Sequence, residues 1–320
     1  MKPCLHAALG GTRISLESAR LDLRSPEETV RASEVECESD SLAVIKLGGS
    51  ILRTSASYQR AADFIAQRLA ANSRERLVAV VSAQNGETDA LLREALSISA
   101  EPDDAALDLL WSTGELRSVA RLCLHLQAKG MRAAAFDVRQ TGLRIAKRGA
   151  GVLEAEFDSS EIHKVLRLCR AVVVPGFVAT DAAGKTVTLG RGGSDLTAVT
   201  IAAGLRASLC ELIKDVPGYF SADPRRYSDA KHLSRLSFAE ALAMADEGCA
   251  LVQRDALEAA ERWDVSLIVR SLDEHTAGTL VTRAPFSGMP CVGIAPAVVA
   301  GEPSVSSQTN FRRVESAHEN

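Results

Sequence analysis

The sequence predicts an α/β protein, a three-layer αβα sandwich around a mostly parallel central sheet. Two observations carry this. Short apolar runs of strand length alternate with longer stretches of helical periodicity, the pattern of strands joined by crossover helices. The longest unbroken apolar runs, Leu77–Val81 and Ala171–Val174, are strand-sized, as expected of a sheet covered on both faces.

In chain order, Leu42–Leu47 reads as a strand that ends in Gly48-Gly49-Ser50, followed by a helix around Tyr58–Ala70. Leu77–Ser82 is the next strand and Thr88–Leu96 a helix. Asp104–Lys129 is a long amphipathic helix, with Gly114 a candidate break and Gly130 a stop. Ala133–Val138 and Ala171–Val174 are further strands, and Phe177–Leu189 is a hairpin that turns at Asp181–Gly184. Ser194–Leu205 is a helix and Leu209–Lys214 a strand; Ser237–Glu247 is a helix opened by the capping box Ser237-x-x-Glu240. Arg254–Trp263 is helical, and Ser266–Val269 and Leu280–Val281 are short strands.

The two ends read differently. Residues 1–40 carry many charges, lack periodic large apolar residues and finish acidic, which predicts a disordered arm. From about Ala284, four prolines and a polar finish predict a flexible tail over 284–320. The folded body is therefore expected over 41–283.

Composition excludes several classes. With 46% hydrophobic and 24% charged residues in 320, the chain is globular. A net charge of -4 argues against a nucleic-acid surface, and 4% aromatics against a base-stacking platform. No apolar run approaches the ~20 residues that span a bilayer. Seven cysteines (4, 37, 123, 169, 210, 249, 291) are scattered and never spaced as C-x-x-C, so neither a disulfide framework nor a metal site is expected. The start lacks a signal-peptide core. These features predict a cytoplasmic protein.

Three turns could carry chemistry, because parallel sheets bind ligands where strand ends meet glycine-rich turns. In Lys46-Leu47-Gly48-Gly49-Ser50, two residues without side chains let backbone N–H groups approach a phosphate that the lysine also reaches. In Thr188-Leu189-Gly190-Arg191-Gly192-Gly193-Ser194-Asp195, three glycines surround an arginine suited to two-point contact with a carboxylate or phosphate, and Ser194 opens a helix. Its spacing fits neither the dinucleotide fingerprint nor a Walker loop. The third is Lys214-Asp215-Val216-Pro217-Gly218-Tyr219-Phe220, continuing to Asp223-Pro224-Arg225, a long charged loop after a strand end. A purely structural reading of each turn stays open.

In this order and spacing the three turns resemble the catalytic domain of aspartate kinases, of the amino-acid kinase superfamily. The segment Thr188–Ala198 is the most particular match. Further matches are Ser82-Ala83-x-x-Gly86-x-Thr88-Asp89, Gly114-Glu115-Leu116, Asp215–Gly218 with Ala222–Arg225, Phe238-x-Glu240-Ala241, and Gly278-Thr279-Leu280. Together they cover about 42–282.

The resemblance implies transfer of phosphate from ATP, with Mg²⁺, to the β-carboxylate of L-aspartate. It implies an N-terminal lobe of about 41–205 for the amino acid and a C-terminal lobe of about 206–283 for ATP. Lys46, Gly48 and Gly49 would contact the transferring phosphates; Thr88, Glu115, Arg191 and Ser194 would hold aspartate. Asp195 would orient Lys46 or the substrate, and Lys214, Asp215, Phe220 and Arg225 would hold ATP. A homo-oligomer is compatible with it. Neither nucleic acid nor membrane is an expected partner.

The chain also departs from the pattern. The family usually continues its Phe-x-Glu-Ala helix into Gly-Ala-Lys-Val-Leu-His-Pro, whose lysine reaches ATP; here Ala250 stands at the lysine and Gln253-Arg254 at His-Pro. Lys214, where the family commonly has threonine, or Arg254 would have to supply that charge. The chain ends where the family appends two small regulatory ACT modules, so feedback by lysine or threonine is not expected. Two alternatives accompany the main reading. One is a kinase of the same fold acting on another carboxylic or amino acid; the other is a weakly active ligand-binding relative.

Overall fold

The computed structural model describes residues 41–148, 152–190, 192–272 and 278–283; the expected arm over 1–40 and tail over 284–320 lie outside them. The strand β1 (Leu42–Leu47) is buried from Ala43 to Leu47, as a central strand must be when helices cover both faces. It pairs in parallel with β2 (Arg76–Val81) on one side and β9 (Leu209–Ile213) on the other. Between them in sequence run α1 (Ser55–Ala71), α2 (Glu87–Ile98), α3 (Asp104–Ala128) and β3 (Ala133–Ala135). These are followed by β4 (Leu143–Arg148), β5 (Val152–Phe157), α4 (Ser160–Leu166), β6 (Ala171–Pro175), β7 (Val178–Thr180), β8 (Thr186–Thr188) and α5 (Gly193–Leu205). After β9 come β10 (Arg235–Ser237), α6 (Phe238–Asp246), α7 (Arg254–Trp263), β11 (Leu267–Arg270) and β12 (Thr279–Thr282).

The main sheet has eight strands in the order β10-β12-β11-β9-β1-β2-β6-β3. Every neighbouring pair is parallel except β11 with β12. Side chains alternate between its faces. Ile45, Leu47, Leu77 and Ala79 join the core under α1 and α3. Val44, Val78, Cys210 and Leu212 join the larger core under α5, α6 and α7. This is the three-layer sandwich that the sequence predicts. Among the described residues no helix is long and apolar enough to cross a membrane.

The structure differs from the sequence reading in three places. Gly114 does not break α3, which runs continuously for 25 residues. A Cβ at Gly114 would lie 3.1 Å from the Ala83 Cβ and 3.3 Å from the Glu87 Cγ, so the glycine lets α3 press against the segment after β2. The stretch 139–170, to which the pattern assigns no element, holds the β4–β5 hairpin and α4. With the β7–β8 hairpin, expected at Asp181–Gly184, β4 and β5 form a second sheet in the order β5-β4-β7-β8. The strand expected over Ala133–Val138 stops at Ala135. The capping box of α6 forms as expected: the Glu240 N–H donates to the Ser237 Oγ at 3.2 Å, and the Ser237 N–H to the Glu240 carboxylate at 2.7 Å.

Candidate active site

The site forms where β1 and β9 end and α5 begins. Lys46 lies on the same face of β1 as Val44, and Lys214 follows β9 in phase with Cys210 and Leu212, so both lysines rise on the face that α5 covers. Asp195 sits in the first turn of α5 and is 3% exposed. The Lys46 Nζ lies 2.9 Å from its Oδ1, and the Lys214 Nζ donates to its Oδ2 at 2.8 Å. The two lysine side chains are 10% and 12% exposed. Burial alone would raise the Asp195 pKa, but the charges and hydrogen bonds of the two lysines outweigh it and hold the carboxyl well below the usual range. Burial lowers the Lys214 pKa, with Asp195 opposing and Lys46 adding to the fall.

The first turn fits closely around this cluster. A Cβ at Gly48 would lie 2.9 Å from the Lys46 Nζ, and one at Gly49 would lie 2.9 Å from the Ala83 carbonyl. Backbone approach therefore requires glycine at 49, whereas a side chain at 48 would displace the Lys46 ammonium group. Arg53 ties the turn to the third loop: its Nε donates to the Ser50 carbonyl at 2.8 Å, and its guanidinium lies 3.7 Å from Asp215.

On the other side, Glu115 projects from α3 and is buried. Burial pushes its pKa up to about 8; the Ala83 N–H and the Lys46 charge oppose this only in part, and Glu87 adds to the rise. Its Oε2 has no hydrogen-bond partner. Ser194, buried at the start of α5, accepts a hydrogen bond from Ser82 at 2.9 Å. Thr88 is half-buried in the first turn of α2, and its carbonyl accepts from the Trp111 indole at 3.2 Å. Trp111 in turn meets Phe177 edge-on at 6.2 Å, and Phe177 holds a left-handed φ of 64°.

Lys46, Asp195 and Lys214 are thus in direct contact, and Glu115 is electrostatically coupled to Lys46. Asp215 is exposed and faces Arg53. Further along the third loop, Phe220 stands edge-on to His232 at 5.3 Å, the Arg225 backbone N–H donates to the Asp223 carboxylate at 2.9 Å, and Arg225 is exposed. Arg191 lies outside the described residues. Sequence reasoning missed Arg53, Ser82 and Glu87 as site residues. The last two fall in or beside the 82–89 motif, which was a usable signal, whereas nothing local marks Arg53. Arg254, one of the two candidates to replace a lysine at 250, is exposed and pairs with Asp246 and Glu258.

Two buried ammonium groups, a side-chain-free turn and a helix N-terminus suit a polyphosphate. Among the described residues no three His, Cys, Asp or Glu side chains cluster as a metal cage.

The amino acid kinase family model matches residues 41–271. The chain belongs to that family. It is 34% identical over 248 residues to the aspartokinase of Helicobacter pylori (strain ATCC 700392 / 26695), covering 77% of this chain and 61% of that one. It therefore spans about six-tenths of that relative's length. The family fold is equally clear in solved structures. The aspartate kinase from Synechocystis superposes with a TM-score of 0.67 at 33% identity, over 80% of this chain and 42% of the other. The R-state of E. coli aspartokinase III in complex with aspartate and ADP gives 0.62 at 27%, over 77% and 66%.

Proposed function

We propose that this chain is an aspartate kinase catalytic unit, which transfers the terminal phosphoryl group of ATP to the β-carboxylate of L-aspartate. The observation that carries it is the Lys46–Asp195–Lys214 cluster beside the Gly48-Gly49 turn, with Glu115 close by. The aspartokinase relatives, and the one whose structure holds aspartate and ADP, support the choice of acceptor.

The chemistry asks little of acid–base catalysis. A carboxylate of pKa near ~4 is already ionised at neutral pH and attacks phosphorus without losing a proton. Its oxygen forms the new P–O bond as the bond to the leaving ADP oxygen breaks, and that oxygen keeps the electron pair. The difficulty is bringing an anion to a polyanion, so alignment and charge neutralisation dominate. In this reading Lys46 and the Gly48-Gly49 turn meet the phosphates. Thr88, Glu115, Arg191 and Ser194 hold aspartate, with Glu115 accepting from its ammonium group. Lys214, Asp215, Phe220 and Arg225 belong to the nucleotide side, so the lobes divide near 205. Mg²⁺ would bind chiefly to the phosphates, keep several of its waters and offset phosphate charge. Drawing on ATP and a free amino acid, the enzyme would work in the cytoplasm.

The test is trapping of acyl phosphate with hydroxylamine, using MgATP and a panel of amino and carboxylic acids. Aspartyl hydroxamate is the expected product. Hydroxamate from a different acid alone would reassign the acceptor, and ADP release without any hydroxamate would refute the mechanism.

A further inference from the structure

Among the described residues, the ends of β1 and β9 carry more positive charge than the buried carboxylate between them neutralises. Asp195 is one buried carboxylate facing two ammonium groups, 2.9 Å from Lys46 and 2.8 Å from Lys214. The nearby acids do not close the gap. Glu115 keeps its proton up to about pH 8. Glu87 pairs with Arg117 at 2.5 Å, and Asp215, whose charge also reaches Lys214, is exposed and shared with Arg53 at 3.7 Å. The N-terminus of α5 adds further partial positive charge. A buried structural pair needs one lysine. A second buried ammonium on the same carboxylate is costly unless an anion shares it.

We propose that Lys214 is a catalytic residue, whose ammonium group meets the terminal phosphoryl group of the nucleotide from the side opposite Lys46, with Asp195 as the counter-ion of both. This rests on the phosphoryl-transfer reading and deepens it. Adjacent parallel strands deliver the two cations. Lys46 leads into the Gly48-Gly49 turn, and Lys214 leads into the loop that runs to Arg225. The Lys214 N–H donates to the Arg270 carbonyl of β11 at 2.8 Å, which anchors the residue at the strand end. A phosphoryl group between the lysines has its equatorial oxygens met from both sides as it leaves ADP. Lys214 transfers no proton in this step. Arg254 does not share this role, being exposed on α7 and engaged with Asp246 and Glu258.

The test uses Lys214→Met and Lys214→Arg in the full chain. The readouts are calorimetric binding of ATP, ADP and AMP, and kcat and KM in the hydroxamate assay. Lys214→Met is expected to lower kcat at least about tenfold and weaken ATP about tenfold, with AMP changed less than about twofold. Lys214→Arg is expected to keep most of the ATP affinity. Should Lys214→Met fail to fold, the wild-type chain still decides: amine labelling of Lys214, followed by mass spectrometry, is slowed by ATP and inorganic pyrophosphate but not by AMP. The proposal is overturned if Lys214→Met weakens ATP and AMP equally, if its kcat and ATP affinity match the wild type, or if pyrophosphate leaves the labelling unchanged. Wild-type chain that binds ATP and forms hydroxamate in those cases keeps the broader reading intact. Wild-type chain that binds no nucleotide overturns both.

Discussion

Replacing Glu115 by glutamine should spare the protein the loss of stability that the wild type undergoes as the pH rises, while weakening its hold on an amino-acid substrate at alkaline pH. The carboxyl is buried, and its pKa stands near 8 against an ordinary 4.5. Below about pH 4.5 the group is protonated in both folded and unfolded chains and contributes no pH dependence. Between 4.5 and about 8 the unfolded chain ionises while the folded one does not. The unfolded state then binds fewer protons, and stability falls by ~1.4 kcal/mol per pH unit. At pH 7 this amounts to at most about 3 kcal/mol, and above about 8 it levels off. Glutamine mimics the neutral acid at every pH and removes the slope. Its amide inherits the unpartnered position of Oε2, which returns roughly 1–2 kcal/mol of the gain. Thermal melts of wild type and Glu115→Gln should therefore diverge steadily from pH 5 to 8, with the variant ahead by several degrees at pH 8, and run parallel above that. The aspartate KM of the variant should rise chiefly as the pH passes about 8, where the wild-type group ionises and the amide cannot match its charge. Melting curves that stay parallel from pH 5 to 8, or a gap that widens toward acid, would refute the assignment of a neutral buried carboxyl.

Three further outcomes are expected. Lys46→Met should abolish turnover in the hydroxamate assay yet move the melting midpoint little, because Asp195 keeps its 2.8 Å contact with Lys214; near-normal kcat would remove Lys46 from the phosphate site. Ala250→Lys should tighten ATP a few-fold, on the order of 1 kcal/mol after the rotamer cost of the new side chain. Calorimetry with ATP, and the aspartate KM as control, would check this, and a change confined to aspartate would refute the division of the two binding sides. On the opposite face of the sheet, Arg68 pairs with Glu75 and with the buried Glu211 of β9. Arg68→Met should cost about 3–5 kcal/mol by stranding Glu211, measured by urea denaturation; a loss below about 1 kcal/mol would mean that Arg270, 3.7 Å from Glu211, suffices.

Local patterns in the sequence determined most of the backbone. The apolar run Leu42–Leu47 can bury itself only as a central strand, Ser237 and Glu240 start α6 by capping each other, and Arg254–Trp263 is helical from end to end as its periodicity requires. The glycine turns were also legible, since absent side chains after a strand mark close approach wherever the chain folds. Other features depended on partners far along the chain. The β4–β5 strands joined a second sheet only because Arg144 pairs with Thr180 of β7, and α3 ran through Gly114 because that position meets the segment after β2. Local propensity contains neither partner. The site shows the same division. Lys46, Asp195 and Lys214 were each identifiable as candidates, but only the adjacency of β1 and β9 under α5 brought two ammonium groups onto one carboxylate. The neutral state of Glu115 and the Arg53–Asp215 pair likewise came from the tertiary structure. Backbone conformation follows largely from neighbours within a few residues, whereas charge state and counter-ion choice follow from the burial and distances that long-range packing creates.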